Sequence, residues 1–77
     1  MLTGSREAIL RRVQPISIHG QLSLDVFYSY ADDADGAVHV ARVGPEAVPH
    51  RLDHGDRVRL DYVLGQVIAV TRLDQTS

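Results

Sequence analysis

Residues 22–30 read LSLDVFYSY, and this stretch decides the fold. Leu22, Leu24, Val26, Tyr28 and Tyr30 alternate with Ser23, Asp25, Phe27 and Ser29, which is the two-residue period of a strand with one buried face. Upstream, Ile16 and Ile18 extend the alternation. His19-Gly20 then reads as either a tight turn or a bulge within one long strand over residues 16–30. Downstream, ADDADG (31–36) supplies turn chemistry, with Asp35-Gly36 suited to positive φ. The chain returns in AVHVARV (37–43), a partner strand with Val38 and Val40 expected to point inward.

The C-terminal third repeats the pattern as a hairpin, RVRLDYVL (57–64) and QVIAVTRL (66–73), around Gly65. A type II′ turn at Gly65-Gln66 pairs Leu64 with Val67, but it also sets Arg59 opposite Arg72, an unfavourable like-charge pair. A Leu64-Gly65 turn places Arg59 opposite Val70 instead. Between the two sheet segments lies GPEAVPHRLDHGD (44–56), long for a loop in so short a chain. Pro49 and Gly55 bracket one expected helical turn there, anchored to the core by Val48 and Leu52.

The N-terminal segment SREAILRRVQ (5–14) follows a different period. Ser5 has the chemistry of an N-cap and Glu7 suits the positive end of a helix dipole. Ile9, Leu10 and Val13 form one helical stripe, and Pro15 stops the helix. Ten residues are too few for a stable free helix in water, so this one must dock on the sheet. The expected fold is therefore α+β and a single small domain over 1–77. A short N-terminal helix precedes a four- or five-stranded antiparallel sheet, strongly bent or closed into a small, partly open barrel of SH3-like or OB-like type.

Composition narrows the function classes. The chain has 77 residues, 8 basic and 10 acidic side chains, a formal charge of −2 and 44% hydrophobic residues. It contains no cysteine, which excludes disulfides, thiolate zinc sites and thiol nucleophiles. No window approaches the ~20 apolar residues of a membrane helix, and the N-terminus has no signal-peptide core. A cytoplasmic protein with no membrane partner is the expectation. All eight basic residues are arginine, a sign of GC-rich coding that points to a bacterial genome.

Candidate chemistry is sparse. His50 and His54 have the i, i+4 spacing of two metal ligands on a helical turn, with His19 or His39 needed to complete the set. A polar connection favours solvated histidines, so no metal and no cofactor is expected. Asp32, Asp33 and Asp35 before Gly36 resemble part of a calcium loop, but Ala31 and Arg42 occupy its first and last ligand positions. No serine lies in a nucleophile elbow and no glycine-rich phosphate loop is present. An enzyme is not expected.

Two binding readings remain. Phe27, Val63, Ile68 and Val70 fall on the second strand faces, too apolar for full solvation, and suggest a surface for a protein partner or a second copy of the chain. A chain this short also gains most from burying such a face, since it covers only about 60% of its unfolded surface alone. The sequence is thus read as a non-catalytic interaction or accessory module, self-associating as a homodimer. The alternative is a nucleic-acid-binding barrel using Arg57, Arg59 and Arg72 as a phosphate stripe and Phe27 as a stacking platform, a reading opposed by the net negative charge.

Overall fold

The computed structural model describes residues 3–49 and 52–73. Five strands make one antiparallel sheet: β1 (Thr3–Ile18), β2 (Gln21–Tyr30), β3 (His39–Val43), β4 (Arg57–Val63) and β5 (Gln66–Arg72). Their spatial order is β3-β2-β1-β4-β5. β1 is the spine, pairing β2 along its C-terminal part and β4 from Thr3 to Ile9. The sheet curls until β3 and β5 approach each other without pairing, so it stays open.

The expected helix over 5–14 is strand, and among the described residues there is no α-helix. The misleading feature is a bulge. Between Leu10 and Arg12 the β1–β2 register slips by one residue, leaving Arg11 extra. Leu10 therefore faces Tyr28 and Val13 faces Val26, on one side of the sheet although three residues apart. A strand with one bulge imitates the i, i+3 spacing of a helix. Ile9, the third member of the supposed stripe, lies opposite Ser29 on the other side. Pro15 sits opposite Leu24, beyond the β4 pairing, where β1 is itself an edge that tolerates a missing N–H.

The expected strand over 16–30 divides at His19-Gly20, whose φ values of 50° and 78° make a two-residue turn between β1 and β2. Leu64-Gly65, with φ 53° and 81°, turns the β4–β5 hairpin in the same way. Positive φ at both central residues is the type I′ signature, whose twist suits a hairpin. The Gly65-Gln66 turn is thus not formed. A second register slip, between Asp61 and Tyr62, then leaves Ile68 extra on β5 and sets Arg59 opposite Thr71, rather than Arg72 or Val70.

The interior is one cluster: Ala8 and Leu10 from β1, Val26 and Tyr28 from β2, Val43 from β3, Val58 and Leu60 from β4, and Val70 from β5. Val48 and Leu52 pack against it as anchors of the long connection. The described part of this connection carries a 3₁₀ turn at Pro45–Ala47, and the turn expected between Pro49 and Gly55 includes positions 50 and 51, outside the described residues. β3 runs with the opposite parity to that expected. Ala41 pairs with Val26 and packs on the core, while Val38 and Val40 are 58% and 55% exposed.

Candidate interaction face and tyrosine groove

The outer face of the sheet is built by alternation from the core residues outward. Phe27 lies between Arg12 on β1 and Val40 on β3. The Arg12 guanidinium lies 4.9 Å from the Phe27 ring centroid and also bonds Gln14 Oε1. Arg11, the bulged residue, donates from Nε to Ser29 Oγ at 3.1 Å, and that hydroxyl donates to the Gly36 carbonyl at 3.3 Å. The bulge thus turns a second arginine toward the acidic turn of residues 32–35. Below them, Arg42 bonds Asp25 at 2.9 Å, and this hydrogen bond holds the Asp25 carboxyl below the ordinary aspartate range.

Of the four apolar residues assigned to an interaction surface, the fold does not make one patch. Val70 is 4% exposed and belongs to the core, opposite Leu60. Ile68 is 51% exposed because the β5 slip leaves it unpaired. Val63 is half-buried opposite Thr3, nine residues along β1 from the Arg12–Phe27 pair, or roughly 30 Å of extended strand. Phe27 has Val40 as its cross-strand apolar neighbour instead, and the exposed Val38 lies two residues before Val40 in the chain.

The arginine stripe is divided as well. Arg57 and Arg59 alternate along β4 on the outer side, whereas Arg72 pairs with Val58 on the other. Each is matched by a carboxylate: Arg57 with Glu7 at 3.7 Å, Arg59 with Asp61 at 3.2 Å and Arg72 with Asp56 at 3.9 Å. Such exposed pairs add little stability but cancel the field that a phosphate backbone would meet.

His50 lies outside the described residues, and His54 is exposed in a turn. Among the described residues no group of three metal-ligating side chains converges. The acidic segment is a pair of turns, in which Asp33 Oδ1 accepts the Asp35 N–H at 3.0 Å and Gly36 adopts φ 67°. No helix among the described residues is long and apolar enough to cross a membrane.

The sequence reading missed a tyrosine cluster where the two sheet edges converge. The Tyr30 and Tyr62 hydroxyls lie 2.8 Å apart, joining β2 to β4 across β1. The Tyr28 and Tyr30 rings meet edge-on at 5.4 Å, and His39 packs on both. Arg6 lies 3.6 Å from the Tyr30 ring centroid while bonding the exposed Asp32 at 3.3 Å. Burial and then the bond to Tyr30 push Tyr62 well above the ordinary phenol range, and either hydroxyl can be the donor in that bond. Burial opposes ionisation of Tyr30 too, but the bonds from Tyr62 and Tyr28 and the Arg6 charge outweigh it and lower that hydroxyl. The available signal was Tyr at alternate inward positions 28 and 30, since a buried phenol requires a partner.

With this geometry in hand, comparison of the chain with family models, curated proteins and solved structures finds no match.

Proposed function

We propose that the protein is a non-catalytic, OB-like interaction module that pairs with a second copy of itself through the outer face of β1, β2 and β3. The observation that carries this reading is an apolar centre, Phe27 with Val38 and Val40, flanked by charges of both signs. Arg12 stands on one side of Phe27, Arg11 bonds Ser29 beside it, and the Asp33–Asp35 turn leads into Val38 on the β3 side. Among the described residues, these two arginines bond only neutral groups, and Asp33 and Asp35 bond no cation. A two-fold axis brings each patch against its opposite in the partner, since residue i then meets j while j meets i. Apolar residues more than half exposed gain burial in the same interface.

The OB-like assignment rests on the path of the chain. A β1–β3 meander, β4 returning to β1 and β5 curling toward β3 trace a small, partly open five-stranded barrel. In that architecture the β2–β3 surface is the usual binding face, for oligonucleotides and oligosaccharides.

One observation favours a second reading, single-stranded nucleic acid on this same face: the Arg12 cation over the Phe27 ring. It is the weaker reading. The tyrosines face inward, leaving Phe27 as the outer-face ring, and carboxylates engage Arg57, Arg59 and Arg72. Sedimentation velocity from micromolar to millimolar concentration tests the choice. A concentration-dependent dimer that Val40→Glu abolishes supports self-pairing. A monomer at every concentration, with salt-sensitive binding of a fluorescent oligothymidylate, supports the alternative.

A further inference from the structure

We propose that the tyrosine groove is a second site, centred away from Phe27 although Val40 edges one of its two hollows, and that it binds a small planar aromatic carboxylate. Two open hollows of about 300 and 350 Å³ adjoin where the sheet edges converge, sharing Tyr30, Tyr62 and Gly65. Each is at the lower end of the size range of small-molecule sites. Three tyrosine rings supply flat apolar wall, and His39 behind Tyr28 and Tyr30 fixes their orientation. The floor is tied together by the hydrogen bond between the Tyr30 and Tyr62 hydroxyls, which leaves whichever hydroxyl accepts with a proton to donate elsewhere.

The sign of the ligand follows from Arg6. An aromatic face attracts cations, but the face of Tyr30 is already covered by this guanidinium at 3.6 Å. A second cation would be repelled. Stacking engages the plane of the guanidinium and leaves its in-plane N–H groups free to donate. One of them reaches Asp32, whose side chain is 81% exposed, so that bond is readily exchanged for a ligand carboxylate. Among the described residues no carboxylate lines either hollow. The β1 segment Thr3–Ser5 edges the hollow at the Arg6 end. The site is therefore donor-rich, cationic and flat-walled.

Titration of the ¹⁵N-labelled protein with sodium benzoate, with benzyltrimethylammonium chloride as the cationic control, tests this. Benzoate is expected to shift amides near Gly4–Arg6, Tyr30 and Tyr62–Gly65, and the control is not. Arg6→Gln removes a charge-assisted hydrogen bond and should weaken benzoate about tenfold. Tyr30→Phe keeps the ring, loses the hydroxyl and should weaken it less, which keeps the test valid if Arg6→Gln fails to fold. Phe27→Ala should leave benzoate affinity unchanged, separating this site from the outer face. Tighter binding of the control, shifts elsewhere, or unchanged affinity in both Arg6→Gln and Tyr30→Phe would overturn the assignment.

Discussion

Val40 stands opposite Phe27 in the β2–β3 ladder, on the side of the sheet away from the core. Three residues on, Val43 points the other way and is 7% exposed. The same residue type on opposite sides of one short strand separates packing from surface. Val43→Ala should cost about 1–3 kcal/mol in urea unfolding, as expected for a truncated core side chain. Val40→Ala should stay within about 0.5 kcal/mol for the monomer, the usual range for a surface change. A larger loss at Val40 than at Val43 would place β3 in the other parity.

Leu10 and Ile9 make the corresponding test of β1. A helix carrying the Ile9–Leu10–Val13 stripe would bury both. The bulged strand buries Leu10 at 1% exposure and leaves Ile9 on the outer face. Leu10→Asn should therefore cost about 3–5 kcal/mol, enough to unfold a chain this small, while Ile9→Asn costs about 1 kcal/mol. Denaturant midpoints of the two variants, read by near-ultraviolet circular dichroism, give the comparison.

Leu64 offers a gain. It is 71% exposed and holds φ 53°, a region that a branched apolar residue rarely occupies. Asparagine favours this position of a type I′ turn before glycine. Leu64→Asn should raise stability by about 0.5–1 kcal/mol, because the leucine side chain stands in solvent and packs little. A destabilised variant would mean that the β4–β5 hairpin turns elsewhere.

Alkali should act on the tyrosine cluster. Burial holds Tyr28, and more strongly Tyr62, protonated above the ordinary phenol value of 10.0. The folded protein then retains protons that the unfolded chain releases. Stability from these two groups is present in full below pH 10 and falls as pH rises past it. Tyr30, shifted downward, acts in the opposite sense just below that value. Urea midpoints should hold or rise slightly up to about pH 10 and then drop, and Tyr62→Phe should flatten the drop.

Much of the sheet was legible because alternation is a direct imprint of the pleat. LSLDVFYSY and both hairpin strands carry it, and the core residues Val26, Tyr28, Val58 and Leu60 follow. The failures fall at register slips. A bulge at Arg11 turned a strand into an apparent helix, and one at Ile68 shifted the partner of Arg59. In β3, AVHVARV offers valine on one parity at 38 and 40 and on the other at 43, so apolar pattern alone chose the wrong side. Of the candidate site, Phe27 was legible as an apolar residue on a polar face. Its neighbours Arg12 and Val40, and the Tyr30–Tyr62 bond, depend on cross-strand pairing that no local pattern encodes.

The central claim is that the outer face pairs with itself about a two-fold axis, Arg12 of one copy meeting Asp35 of the other. A charge swap tests it most directly. Arg12→Glu and Asp35→Arg should each sediment as monomers alone, because like charges then face each other in both halves of the interface. Mixed in equal amounts they should form a dimer, since every charge pair across the mixed interface joins opposite signs. A mixture that remains monomeric, or variants that dimerise as well alone as together, would contradict the account.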